Sequence, residues 1–171
     1  KVSIGNVLGQ TVRMLPLGVT VVDEGLLLTD VPAACKDVLG GILTAVNGVS
    51  MDKIEQALTP MLGGDNQVYR HQQFAQTFYV YEILEHYGVL SSPEDIELTV
   101  QQGDRTLTVT VDALTNDALA QLDVARLERT EPSTAADKSK YYFAKPLDAR
   151  TLYIQYNRCQ EDPALPMETF V

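Results

Sequence analysis

Between residues 96 and 111 the chain alternates apolar and polar residues twice over, and few arrangements satisfy that pattern. Ile96, Leu98 and Val100 stand on one side of Gln102-Gly103-Asp104, and Leu107, Val109 and Val111 on the other. Successive side chains of an extended strand point to opposite faces, so each run carries one apolar face and one polar face. Two such runs joined through a glycine read as an antiparallel β-hairpin whose register is set by burying the apolar face.

The rest of the chain is cut into shorter pieces by glycine and proline. Val12, Leu15, Leu17, Val19, Val21 and Val22 lead into Asp23-Glu24-Gly25, and Leu26-Leu27-Leu28-Thr29 resumes the apolar run up to Val31-Pro32. A second hairpin is expected there. Ala33 to Leu39 predicts a short helix stopped by Gly40-Gly41, and Ile42 to Val46 a buried strand. Asn47-Gly48 supplies a turn that favours positive φ. Ser50 is placed to cap a helix carrying Ile54, Ala57, Leu58, Met61 and Leu62 at helical spacing, which Gly63-Gly64-Asp65-Asn66 ends.

From Val68 to Tyr87 runs the longest helical pattern, with Phe74, Phe78, Tyr81 and Leu84 in one stripe and Gly88 as its C-cap. That stripe reads as a core-facing surface, with a lid or docking face as the alternative. Residues 115–140 are polar and read as a linker holding one short helix around Leu119 to Leu127. Tyr141-Tyr142-Phe143 precedes a strand-like run, Leu152 to Asn157, after which no partner strand follows. Thr169-Phe170-Val171 resembles the first turn of another helix.

Composition narrows the function classes. Of 171 residues 13 are basic and 23 acidic, a formal charge of −10 that repels phosphate backbones and anionic lipid. No nucleic-acid partner is expected. No run approaches the roughly 18 apolar residues of a membrane span, so no insertion by this segment is expected either, and no charged-then-apolar leader opens it. Cys35 and Cys159 form no CxxC pair and are either two buried thiols or one disulfide.

Catalytic machinery is hard to find. His71 and His86 lie fifteen residues apart, outside the i, i+4 spacing of a helical metal pair. No serine occupies a G-x-S-x-G elbow. Ser3, Ser50, Ser91, Ser92, Ser133 and Ser139 fall near turns, caps or the linker. The pairs Asp23-Glu24 and Glu94-Asp95 sit in turns, and the paired glycines 40-41 and 63-64 follow helical patterns instead of opening phosphate-binding helices. The residues therefore predict no catalytic set, no metal ligands and no cofactor.

One ordered set of motifs does stand out. Pro16-Leu17-Gly18-Val19 resembles the carboxylate-binding loop of PDZ domains. Val31-Pro32-Ala33-Ala34, then Leu39-Gly40-Gly41-Ile42-Leu43-Thr44-Ala45-Val46-Asn47-Gly48, resembles that family's Pro-Ala helix, glycine turn and strand ending in Asn-Gly. Ser50 to Leu62 corresponds to the groove helix and Ile96 to Val111 to the closing strands. A long helical insertion, the phrase Leu62-Gly63-Gly64-Asp65-Asn66, and Leu152-Tyr153-Ile154-Gln155-Tyr156-Asn157-Arg158-Cys159 make the chain similar to large, divergent bacterial members of the carboxyl-terminal-processing (tail-specific) serine peptidases. Two positions depart from the pattern: Pro16 replaces the usual first glycine and removes an N–H donor, and Gly41 stands where an aspartate is common.

The resemblance implies an α+β chain. A PDZ-like small β-barrel or sandwich would span 1–114 with a helical insertion at about 63–92, followed by a linker over 115–140. Residues 141–171 would begin a crotonase-like α/β catalytic core. It implies peptide-binding residues Leu17, Gly18 and Val19 in the loop and Ile54, Ala57 and Leu58 in the groove. The partners would be a peptide or protein C-terminus and the chain's own catalytic core. The parent would be a serine-type endopeptidase, extracytoplasmic or secreted, whose serine and lysine lie downstream of Cys159, so that the segment itself is not an enzyme. Two other readings stay open: a structural interaction module with an occluded groove, and an enzyme using an unrecognised site.

Overall fold

A computed structural model describes residues 12–64, 66–128 and 139–170. Ser3, Asp65, Ser133, Val171 and the middle of the expected linker, 129–138, lie outside the described residues. The chain divides into two compact units, Lys1–Leu127 and Glu128–Val171.

In the first unit the chain runs through β1 (Arg13–Met14), β2 (Gly18–Val22), β3 (Gly25–Pro32), a 3-10 helix (Ala33–Val38), β4 (Ile42–Val46) and β5 (Val49–Ser50). There follow α1 (Met51–Leu58), α2 (Gln67–Ala75), α3 (Tyr81–His86), β6 (Ile96–Gln102) and β7 (Arg105–Val111). The unit closes with β8 (Leu114–Thr115), α4 (Asn116–Ala120) and β9 (Val124–Arg126). The main sheet has the order β2-β3-β4-β6-β7, with β5 on β4 and β9 on β3, while β1 and β8 pair separately. Every pairing is antiparallel. The fold is thus mixed α+β, mostly antiparallel sheet with short helices.

The β6–β7 hairpin forms where the alternation demands it. Ile96, Leu98 and Val100 are buried while Glu97 faces solvent, and Ile96 pairs with Val111 across the two strands. At the β4–β5 turn Asn47 and Gly48 take φ of 45° and 74°, as a two-residue hairpin of the primed type requires. Asn47 is also pinned to the next strand: its N–H donates to Glu97 O at 2.8 Å and its Oδ1 accepts from Glu97 N at 2.7 Å.

Gly41 has a packing reason. A Cβ there would run into Val100 Cγ1 and lie 3.1 and 3.2 Å from the Gln101 and Val38 carbonyl oxygens. The aspartate of the family pattern has no room at this position.

Two expectations need correction. The pattern from Val68 to Tyr87 is not one helix, because α2 ends at Ala75 and α3 starts at Tyr81. Thr77 Oγ1 bonds back to Gln73 O at 2.8 Å, Leu15 N–H donates to Tyr79 O at 2.8 Å, and Val80 bridges Met14. Tertiary pairing with β1 thus captures the backbone that would have continued the helix. The stripe survives the break, since Phe74, Phe78, Tyr81 and Leu84 are all buried. Gly88 (φ 71°) ends α3 in a Schellman arrangement, with Val89 N–H on Leu84 O and Gly88 N–H on Glu85 O. Ser50 takes the N-cap position of α1, but its side chain makes no capping bond.

The second correction concerns 115–127. These residues, read as the start of a linker, carry β8, α4 and β9 and belong to the first unit. The short helix expected at Leu119 to Leu127 is instead α4, capped by Thr115 Oγ1 on Ala118 N at 3.3 Å.

In the second unit no partner strand follows β11 (Leu152–Tyr156) among the described residues; it pairs upstream with β10 (Tyr142–Pro146), from Tyr142↔Tyr156 to Pro146↔Leu152. Buried Tyr142 stacks on Tyr156, packs on Phe170 of α5 (Met167–Phe170) and donates its O–H to Leu165 O.

Candidate functional site

The loop between β1 and β2 is built from Leu15, Pro16 and Leu17, with Gly18 opening β2. Leu15 and Pro16 are buried, and Leu17, Gly18 and Val19 are half-buried. Pro16 has no N–H, and Leu17 donates its own to Leu15 O at 2.8 Å. Two of the donors that a carboxylate-cradling loop would offer are therefore missing or engaged. Gly18 is glycine for a local reason, because a Cβ there would overlap the Asp30 carboxylate of β3.

That carboxylate is held from two sides. Thr29 Oγ1 donates to Asp30 Oδ2 at 2.8 Å, and Arg126 Nε of β9 donates to Oδ1 at 3.1 Å. Beside it Leu15, Leu17, Leu119, Leu122 and Val124 line a cleft of about 310 Å³. Sequence reasoning missed Arg126, Leu119 and Leu122, because they fall in the stretch taken as linker.

The groove residues divide. Ile54 and Leu58 are 0% exposed and belong to the core, while Ala57 is half-buried at its edge. None of the three lines the cleft beside Leu17 and Gly18, and neither does Val19. α2 packs against both β2 and α1. Phe74 of α2 is 1% exposed and stacks at a tilt on Phe78, with ring centroids 5.6 Å apart.

α2 is also tied to α1 by a polar contact. His71 Nδ1 lies 2.9 and 3.0 Å from the two carboxylate oxygens of Glu55. Both residues line a cleft of about 520 Å³, shared with Gln56, Gln67 and Arg70, and a second of about 230 Å³, shared with Met51 and Phe74. His86, on α3, is exposed and packs edge-on against Tyr87.

Other ionisable groups serve the fold. Tyr81 O–H donates to Glu85 Oε1 at 2.6 Å; that bond, then burial and the Glu85 charge, pushes the phenol above its ordinary value against the pull of Arg13. Arg13 lies 4.6 Å over the Tyr81 ring and pairs with Glu82, which fastens β1 to α3. Cys35 and Cys159 are both free thiols. Cys35 is buried, and burial raises its pKa, whereas Cys159 is exposed. Among the described residues no group of three His, Cys, Asp or Glu side chains is placed to hold a metal ion, and no helix is long and apolar enough to cross a membrane.

No family model matches this chain, and no curated protein matches it either.

Proposed function

We propose that this chain is a non-catalytic, PDZ-like segment of a serine-type peptidase of the carboxyl-terminal-processing kind, in which the chain's own α2 takes the place of a bound peptide. The observation that carries the reading is the seat of α2, which packs on β2 and α1 with Phe74 at 1% exposure. The chain order supports it: a Pro-Leu-Gly loop, an edge strand, a 3-10 helix, a strand ending in Asn-Gly, a helix and a closing hairpin follow the sequence motifs one by one. The segment would pack against or gate its own catalytic core, outside the cytoplasm, and supply no reacting group.

A second reading, direct recognition of a peptide C-terminus through Leu17, Gly18 and Val19 with Ile54, Ala57 and Leu58, is favoured by one feature. β2 is an edge strand, and among the described residues its outer backbone groups have no backbone partner. Nuclear magnetic resonance separates the two readings. With α2 seated, peptides ending in an aliphatic residue leave the Val19, Val21 and Ala57 signals where they are. Saturable shifts at all three would favour direct recognition instead. Hydrolysis of peptides by the purified chain, lost on a single point change, would overturn the non-catalytic assignment.

A further inference from the structure

We propose that β7, the outer edge of the main sheet, is a docking site for an extended segment of another protein that carries β-branched residues in its middle and a basic residue near each end. The inference goes beyond the PDZ-like reading and does not rest on it, because β7 lies at the opposite edge of the sheet from β2 and holds none of the residues assigned to a peptide there.

The direction of each backbone group on β7 follows from its neighbour β6. Glu97 turns its backbone towards the β4–β5 turn, where its O accepts from Asn47 N–H and its N–H donates to Asn47 Oδ1. Thr99 O likewise accepts from Thr44 Oγ1 of β4 at 3.1 Å. Residues opposite one another in an antiparallel ladder exchange both backbone bonds or neither. Thr110 and Thr108, which face Glu97 and Thr99, therefore point their N–H and C=O groups away from β6, and Thr106 follows by alternation. The 3-10 helix reaches this row at Thr110, with Cys35 Sγ 3.9 Å from its O. Among the described residues β7 pairs with no strand but β6.

The seven residues of β7 pair with β6 in unbroken register, and neither a bulge nor a proline or lysine guards the edge. At the other edge β2 has a register shift between Gly18 and Val19. Thr106, Thr108 and Thr110 are exposed, and Leu107 and Val109 on the other face are half-buried, so an added strand covers both rows. Charge decides the occupant. Asp104 and Asp112 stand eight positions apart at the two ends of the threonine row, and exposed Glu97 lies opposite Thr110. Arg105 falls on the other face by alternation. A second copy paired antiparallel about Thr108, the register that joins all three threonines, would set Asp104 against Asp112 at both ends, and like charges opposed in this way repel. A strand with lysine or arginine eight positions apart makes the same two contacts attractive, in keeping with a net charge of −10.

The test is a titration of the isotopically labelled full chain with a blocked nonapeptide of alternating threonine and valine that has lysine at both ends, and with the same peptide ending in glutamine. Saturable shifts at Thr106, Thr108 and Thr110, with slowed amide exchange at Thr106 and Thr108, are expected from the lysine-ended peptide. The glutamine-ended peptide is expected to bind roughly 3- to 10-fold more weakly at low salt, because two exposed ion pairs are lost. Asp104→Asn combined with Asp112→Asn is expected to remove that difference. Thr108→Pro deletes an outward donor and no bond to β6, so the chain is expected to keep its resolved Leu98 and Val100 signals and to bind about 10-fold more weakly or worse. Unmoved threonine signals up to the solubility of the peptide overturn the proposal, and so does equal affinity for the two peptides. Unfolding of Thr108→Pro would show that Thr108 bonds inward, and a folded Thr108→Pro chain that binds like the parent would move the site elsewhere; either overturns the edge assigned here. Concentration-dependent shifts of the same amides in the peptide-free chain would make a second copy the occupant and overturn the basic partner.

Discussion

Replacing Phe74 by alanine asks whether α2 is part of the core or a lid resting on it. The ring is 1% exposed, lies 5.6 Å centroid-to-centroid from Phe78 and shares a cavity wall with Leu26, Leu43 and Met51. Truncating a buried phenylalanine to alanine costs about 3–5 kcal/mol, part of it from the cavity left behind. The aromatic pairing adds to the hydrophobic loss and argues for the upper half of that range. A loss of about 4 kcal/mol is roughly a 10³-fold change in the folded-to-unfolded ratio. In urea, with a slope of about 2 kcal/mol/M, it lowers the midpoint by about 2 M. The chain has no tryptophan and divides into two units, so the assay is the loss of resolved signals from Leu98 and Val100, which report the first unit alone. A midpoint change equivalent to less than about 1 kcal/mol, with faster amide exchange confined to α2, would show that α2 opens independently of the sheet and refute the integral seat assigned to it.

Three further outcomes are expected. Gly41→Ala drives a methyl group into Val100 and towards two carbonyl oxygens, and should destabilise by about 1–3 kcal/mol. Gly63→Ala, where a Cβ meets nothing, should stay within about 0.5 kcal/mol; equal effects in the two chains would contradict the close approach at Gly41. A thiol-reactive dye should label Cys159 quickly and Cys35 only on unfolding, since burial keeps the Cys35 thiol protonated; simultaneous labelling of both would refute this placement. The folded state raises the Tyr81 pKa, so its contribution is fully present below the unfolded value near 10 and is lost as the pH rises through the folded value. The wild-type chain should therefore lose stability relative to Tyr81→Phe as solutions become alkaline past that point, and parallel profiles would contradict it.

What could be read from the residues was local. The strict alternation of residues 96–111 and the Asn47-Gly48 turn state their structure in a few adjacent positions, and both form. The break between α2 and α3 is not written locally, because it depends on Leu15 bonding to Tyr79 across more than sixty positions. The short strands β8 and β9 are hidden for the same reason: Thr115 finds Arg13, and Arg126 finds Asp30, only once the sheet exists. The apolar spacing of Ile54, Ala57 and Leu58 is equally right for a groove wall and for a core stripe, and burial chose the core for Ile54 and Leu58. His71 and Glu55 are sixteen residues apart and meet because α2 folds back on α1.

The seat of α2 is most directly measured by nuclear Overhauser contacts in the peptide-free chain. Cross-peaks from the His71 ring to the Glu55 side chain, and from the Phe74 ring to Met51, are expected from the shared contact and the shared cavity wall. α2 signals at random-coil positions without those cross-peaks would leave the strip between β2 and α1 open, and would contradict the self-occupied groove.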